Sequence, residues 1–390
     1  MTSLLAGSAL ALLAWLCVLV APHRPHRVRE RLEADVAGLG NLEGVTVIIP
    51  ARDEADLIDR TLAALGRQGR GLDVVVVDDQ SSDDTRGAAA RAAGPNFTLR
   101  VVDGRPLPDG WAGKLWALEQ GFAVVDRPHV LLLDADIELA PGLVPALLAQ
   151  LHERDATLVS LMAELRCETL WERLLSPAFV FFFKLLYPFA WSNDATKATA
   201  AAAGGCMLVR TDALREIGGF AAIRGALIDD CTLAAALKRH RPPIWLGMTH
   251  SVRSLRAYAS LGGFWSMVAR SAFTQLRYSV WWLLLATALM IVTLLAPVAG
   301  VVVGMATGDL RLALLAGAAW LAVAAVYWPV VAFYRLPVPW ALTLPVAAAL
   351  FLAMTWSSAM GYWRGKRASW KARDYGRSSE AAKRARVPDS

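Results

Sequence analysis

The chain has 390 residues, a formal charge of +6, 56% hydrophobic residues and a mean hydropathy of +0.40. That is too apolar for an ordinary soluble enzyme and implies membrane segments, and the length allows a catalytic domain beside a few spans. The tail from Trp363 to Ser390 holds nine Lys or Arg and three Asp or Glu, which accounts for the whole net charge. The basic balance is therefore a tail property, suited to anionic lipid headgroups and not to a nucleic acid.

The four cysteines, Cys17, Cys167, Cys206 and Cys231, form no CxxC pair, and the six histidines show no HExxH spacing. This excludes a disulfide framework and a zinc site of the usual patterns.

Ser3 to Ala21 is uncharged and long enough to span a bilayer, and the basic stretch "HRPHRVRER" follows it. Charge after the apolar run, not before it, reads as an uncleaved anchor, with residues 1–22 in the membrane and 23–44 as a basic linker. The same asymmetry places the following domain, 45–260, on the cytoplasmic side of a multi-pass protein of the cytoplasmic membrane.

From Val45 short apolar runs alternate with helical stretches. "VTVIIP", "LDVVVVDD", "LRVVD" and "VLLLDAD" read as strands, and "DEADLIDRTLAALGRQ" has helical spacing. "SSDDTRGAAARAAG" predicts a helix with Ser81 or Ser82 as N-cap and Gly94 as its stop. Such alternation implies an α/β domain with a mixed, mostly parallel sheet covered by helices on both faces. Sheets of this kind bind ligands at the carboxyl ends of their strands, and two strands end there in acids: Asp78 with Asp79, and Asp134 with Asp136.

"SPAFVFFFKLLYPFAW" is apolar but interrupted by Lys184 and Pro188, and reads either as an interfacial helix or lid, or as a buried core helix. Residues 261–280 form an interfacial segment. Three stretches follow within 281–362 that can each span: Trp281 to Ala306, Leu312 to Tyr334 and Leu336 to Tyr362. Four spans would put the basic tail, 363–390, opposite the catalytic domain, against the positive-inside tendency. A re-entrant stretch at "YRLPVPW" would resolve that conflict.

Two acids at a buried strand end repel each other and lose hydration. A divalent ion that neutralises them together with a diphosphate makes the arrangement useful. Asp229 and Asp230, in "LIDDCTLA", read either as an acid pair that holds a base or as caps of the helix after them. A desolvated carboxylate with an acidic neighbour has a raised pKa, which suits Asp230 to take a hydroxyl proton.

Four motifs occur in order: "VIIPARDEADLI", "VVVVDDQSSDDT", "DAD" and "AAAGGCMLVRTDALREIGGF...LIDD". In this order and spacing, over Val45 to Arg256, they resemble inverting glycosyltransferases of family 2, which have the GT-A fold. The resemblance implies a nucleotide sugar, UDP-linked, as donor and a divalent metal, Mg²⁺ or Mn²⁺, as cofactor. It implies Pro50, Ala51, Arg52 and Glu54 around the uridine, and Asp79 on the uracil edge. It further implies Asp134 near the ribose and ion, Asp136 on the ion, Gly204 and Gly205 against the donor sugar, and Asp230 as base with Asp229 beside it. Arg52 stands where an aromatic often lies, and Asp229 where Glu is more common.

"TQLRYS" resembles a degraded QxxRW motif, with one residue fewer between Gln275 and Arg277. Arg277 would meet the diphosphate and Tyr278 the acceptor; an interfacial Arg and Tyr belt explains them equally. "PLPDGWAGKLWALEQG" looks like a phosphate loop at Gly110, Gly113 and Lys114, but Leu115 breaks that pattern. Its "GWxGKxxA" is similar to lipid-directed members of the family, in particular the hopene-associated glycosyltransferases, as is "WKARDY" in the tail. Lys114 would offer a charge to the diphosphate, or is a solvated helix residue. The acceptor implied is a hydroxyl of a membrane lipid, a hopanoid first. Ceramide, carotenoid and polyprenyl-phosphate acceptors are alternatives, and so is an inactive membrane scaffold on the same fold.

Overall fold

The computed structural model describes residues 1–365 together with Ser369, Trp370, Arg373 and Asp374. The rest of the basic tail, and most of "WKARDY" with it, lies outside the described residues. The described chain divides into two units, one of residues 1–29, 166–190 and 257–365, and one that contains residues 30–165 and 191–256.

The second unit is built on an eight-stranded sheet. Its strands are β1 (Val45–Ala51), β2 (Leu72–Asp78), β3 (Phe97–Asp103), β4 (His129–Leu133), β5 (Ile137–Leu139), β6 (Leu158–Glu164), β7 (Cys206–Arg210) and β8 (Ile244–Ser254). The order across the sheet is β3-β2-β1-β4-β7-β6-β8-β5. β1, β2, β3 and β4 run parallel, as do β6 and β8, while β7 is antiparallel to both its neighbours and β5 to β8. β1 is buried at every residue, which is why it reads as a continuous apolar run and not as an alternation. One apolar cluster lies around Val47, Ile49, Leu62 and Leu131, and another around Ile48, Leu118, Leu132 and Leu233. These are the two faces of the sheet, since alternate residues of β1 fall in different clusters.

Two helices start later than their sequence pattern predicts. The first runs Ile58–Leu65 and buries Ile58, Leu62 and Leu65. The second runs Thr85–Arg91 after Asp84, and ends at Ala92 instead of reaching Gly94. Ser81 and Ser82 do not cap it. The Ser81 hydroxyl donates to Asp78 Oδ1 at 2.5 Å, and the Ser82 hydroxyl to Asp53 Oδ1 at 3.0 Å. Asp83 Oδ2 accepts from the Ala55 N–H, and Thr85 Oγ1 from the Glu54 N–H. The polar residues expected to start two helices instead lace two loops together beyond the ends of β1 and β2. Asp53 and Gln80 take left-handed backbone conformations there, with φ of 52° and 57°.

The linker after the anchor becomes part of this unit from Glu30. Glu33 accepts from the Thr249 and Ser251 hydroxyls and the His250 N–H, and the Asp35 N–H donates to the Gly142 carbonyl.

The first unit is helical. Four of its helices are long and apolar enough to cross a membrane: Thr2–Val20, Val280–Thr307, Leu310–Phe333 and Val338–Trp363. The "YRLPVPW" stretch leads into a 3₁₀ turn, Val338–Thr343, that opens the fourth of these. Gly300 and Gly304 let two helices approach closely, since a Cβ on them would lie 2.7 Å from Ala316 Cβ and 2.6 Å from the Ala313 nitrogen. The Trp15 indole donates to the Thr293 carbonyl at 2.8 Å, inside a π-helical turn, Ile291–Leu295. The stretch around Lys184 is a packed helix, Leu170–Leu186, started by a Thr169–Glu172 capping box. Phe181 and Lys184 are buried in it, and the Lys184 ammonium lies 3.9 Å from the Phe189 ring centre. The helix is packed on the side that carries Phe181 and Lys184, while Leu170 and Leu186 stay exposed.

Candidate active site

The acids converge because parallel neighbours end together. β1 and β2 pair in register up to Ala51 and Asp78, and β1 and β4 up to Ile48 and Leu132. The loops after these strands carry Arg52 and Glu54, Asp79, and Asp134 with Asp136.

Arg52 bridges the first two loops. Its guanidinium donates to the carbonyls of Asp79 at 2.5 Å and Gln80 at 3.1 Å, and lies 4.0 Å from the Asp79 carboxylate. Asp79 is fully buried, and its N–H donates to the Ala51 carbonyl. Pro50 and Ala51 are the last residues of β1 and are buried.

A second group forms around Lys114, on the helix Gly113–Phe122. Its ammonium lies 2.7 Å from Asp134 Oδ1 and 3.4 Å from Asp229 Oδ2. Lys114 is thus no solvated helix residue: it joins the acid of the β4 loop to the acid pair of the helix Asp229–His240. Burial works against its charge, but Asp134 and Asp229 outweigh burial and hold its pKa above the ordinary lysine value. Burial pushes the Asp134 carboxyl up, and Lys114 opposes that.

Asp230 is not the N-cap of its helix. That position is Ile228, and no side chain caps it. Instead, Asp230 Oδ2 accepts from the Gly204 N–H at 2.9 Å and Oδ1 from the Cys231 N–H at 2.7 Å. Burial, and then the charge of Asp229, push its carboxyl up to about 6. Asp229 Oδ2 is buried and accepts no hydrogen bond. Among the described residues Lys114 is the cation that faces the pair, through Asp229.

Gly204 and Gly205 lie between these groups and β7. A Cβ on Gly204 would stand 3.3 Å from Asp230 Oδ2 and 3.4 Å from Lys114 Nζ. On Gly205 it would stand 3.2 Å from Ile137 Cδ1, and the Gly205 carbonyl accepts from the Asp134 N–H at 3.2 Å. These glycines are needed for close approach, since neither has a left-handed backbone.

Two residues of the site were not legible in the sequence. Arg256, two residues past the end of β8, donates through Nη2 to Glu54 at 2.5 Å and through Nε to Asp136 at 2.8 Å. The Leu255 N–H locks that strand end to the Asp136 carbonyl at 2.8 Å. A lone arginine after a strand belongs to no motif, and its partners are 202 and 120 positions away. Lys238, on the same helix as Asp230, is buried and donates to the carbonyls of Trp191, Ser192 and Thr199 at 3.0, 2.7 and 2.6 Å. One helix thus fixes both ends of the loop that leads into Gly204.

The residues present suit a divalent ion such as Mg²⁺ or Mn²⁺. Asp134 and Asp136 offer hard oxygen donors of the kind such an ion prefers. No group of three or more acidic, His or Cys side chains that could hold a metal occurs among the described residues. An ion held by one or two carboxylates and completed by a ligand's phosphates needs no such group.

Arg277 belongs to the first unit, in a turn where it and Tyr278 both have left-handed backbones, with φ of 53° and 57°. There Tyr278 stacks on Tyr362 at 4.5 Å, and Gln275 Nε2 donates to the Tyr187 hydroxyl at 2.5 Å.

The mixed sheet with acids at its strand ends is that of the GT-A fold. A mannosyltransferase from Pyrobaculum calidifontis, solved with GDP-Man and Mn²⁺, superposes with a TM-score of 0.55 at 19% identity, over 92% of this chain and 99% of that one. Residues 46–218 match the family model Glycosyl transferase family 2, so the chain carries a domain of that family. Among curated relatives, an undecaprenyl-phosphate 4-deoxy-4-formamido-L-arabinose transferase of Klebsiella pneumoniae is 32% identical over 116 residues, which is 28% of this chain and 34% of the relative. A 4,4'-diaponeurosporenoate glycosyltransferase of Staphylococcus aureus is 34% identical over 110 residues, 28% of each chain. The alignments thus span about a third of these relatives' length.

Proposed function

We propose that this protein is a membrane-bound glycosyltransferase that moves one sugar from a nucleotide donor to a hydroxyl of a lipid, inverting the anomeric centre. The observation that carries the reading is Lys114 between Asp134, at 2.7 Å, and Asp229, at 3.4 Å, with Asp230 beside Asp229 and on the Gly204 N–H. In this reading one lysine joins a donor-side acid to the neighbour of the acceptor-side base.

In this reading Asp79, Arg52, Pro50, Ala51 and Glu54 hold the nucleoside, UDP by preference, and Lys114 faces the diphosphate. Asp136, with Asp134, would hold a divalent ion, which when bound neutralises charge on the diphosphate. Asp230 takes the proton of the acceptor hydroxyl. The oxygen attacks the anomeric carbon opposite the leaving group, and the bond electrons leave with the diphosphate. Asp229 keeps Asp230 proton-hungry, since two ionised carboxylates in one site repel.

The four apolar helices and the lipid-linked names of the curated relatives support a lipid acceptor. A hopanoid hydroxyl is the acceptor proposed first, on the "GWAGKLWA" resemblance. Those names also favour a second reading, with a polyprenyl phosphate or a carotenoid acid as acceptor.

The test is transfer of radiolabel from UDP-sugars into the organic phase by purified protein supplied with hopanoid, polyprenyl phosphate or carotenoid. Organic-phase label with one acceptor class supports the reading and selects the acceptor. Intact donor with every acceptor and every common nucleotide contradicts it.

A further inference from the structure

We propose that the last apolar stretch is a re-entrant hairpin. The chain enters the bilayer after Phe333 and leaves it at Trp363 on the same side, so the basic tail emerges on the side where the second apolar helix begins.

Contacts within the first unit fix the direction of each helix. Thr2–Val20 and Val280–Thr307 are antiparallel, since Trp15 reaches Thr293 while Ser8 lies against Gly300. Val280–Thr307 and Leu310–Phe333 are antiparallel too, since Gly300 faces Ala316 and Gly304 faces Ala313. Val20, Val280 and Phe333 therefore lie at one end of this bundle. A fourth span that continued the alternation would run from this end to the other, but Leu344–Trp363 runs the opposite way. The Trp356 indole donates to Thr287 Oγ1 at 3.0 Å, Ala359 shares a cluster with Leu283, and the Tyr362 ring stacks on Tyr278 at 4.5 Å. Its partners fall in number as its own residues rise, so Trp363 ends beside the start of the second apolar helix.

The helices on either side of residues 334–343 thus run towards the same end, and the link between them has to travel back. The Trp320 indole donates to the Leu342 carbonyl at 3.1 Å, and Trp320 stands about 20 Å of helix before Phe333. Backbone that enters lipid outside a helix must find partners for its polar groups. Pro337, Pro339 and Pro345 have no N–H to satisfy. The Trp340 N–H donates to the Pro337 carbonyl, and the Thr343 hydroxyl to the Trp340 carbonyl. The exposed side chains of Val338 and Leu342 are apolar, as lipid requires. No charged residue lies between Arg335 and Arg364, which places both arginines at the mouth of the hairpin. With the "HRPHRVRER" stretch after Val20 they gather positive charge at one end of the bundle, the pattern of a cytoplasmic face.

Labelling with an impermeant maleimide tests the hairpin in the full-length chain with its four native cysteines replaced. Single cysteines at Val36, in the linker after the first helix, at Thr307, at Leu342 and at Ser390 are compared in intact cells, in inverted vesicles and after denaturation in detergent. Val36→Cys and Ser390→Cys should react in the same preparation, and Thr307→Cys in the other. Leu342→Cys should react only after denaturation; its bond to Trp320 uses the backbone, so the substitution leaves that bond in place. Ser390→Cys reacting with Thr307→Cys and not with Val36→Cys overturns the hairpin. So does reaction of Leu342→Cys before denaturation, or reaction of Thr307→Cys on the side of Val36→Cys. The comparison is between positions of one chain, so it holds for either orientation of the whole protein and needs no enzymatic turnover.

Discussion

Asp230 accepts a hydrogen bond from the backbone N–H of Gly204 at 2.9 Å, across 26 positions of sequence. The contact ties the candidate base to the glycines that a donor sugar would approach. Asp229 and Asp230 also form the first turn of the helix that follows Ile228, so the helix start and the contact with Gly204 coexist.

The pH dependence follows from the raised carboxyl of Asp230, near 6. A base must be ionised, so kcat/KM should fall about tenfold per unit as pH drops below about 6. The sign for stability is opposite. The folded state holds this proton more tightly than an ordinary Asp at 3.8, so this group's contribution declines as pH rises from 3.8 to about 6 and is level above. A rate profile flat from pH 5 to 8 would contradict the assignment.

Gly204→Ala should fold and transfer poorly. Its Cβ would press on Asp230 Oδ2 and Lys114 Nζ at 3.3 and 3.4 Å, so those groups must shift by a few tenths of an ångström. Displacement on that scale should lower kcat about tenfold, with a small change in melting temperature. Steady-state kinetics beside a thermal melt checks both.

Lys238→Met should destabilise the second unit by about 2 kcal/mol or more, since three carbonyls lose their donor. Denaturant unfolding measures this, and Lys238→Arg should recover part of it.

The catalytic domain should face the cytoplasm, following the "HRPHRVRER" stretch after the first apolar helix. A cysteine placed at the exposed loop residue Ser82, in a chain whose native cysteines are replaced, should resist an impermeant reagent in intact cells and react in inverted vesicles. Labelling in intact cells would reverse the topology.

The first four strands were legible because buried parallel strands write themselves as apolar runs, and the acids were legible because they close those runs; β5, β6, β7 and β8 were not read. The starts of the helices after β1 and β2 were not. Ser81 and Ser82 look like caps, and only the neighbouring loop shows that they bind across to Asp53. Lys114 kept two readings open, because its partner Asp229 is far along the chain. Arg256 and Lys238 left no signal, since each works through contacts that fall outside any local pattern.

The most direct measurement is the transfer rate of Asp230→Asn, taken with UDP affinity and melting temperature on the same protein. The substitution keeps the shape of the side chain and removes its basicity. The rate should fall by about 10² to 10⁴, with UDP affinity unchanged within about twofold, because the residues proposed to hold the nucleotide lie on other loops. Asp229→Asn should fall less, acting through the proton affinity of its neighbour. A transfer rate in Asp230→Asn equal to that of the native protein would contradict the role of Asp230 as the base.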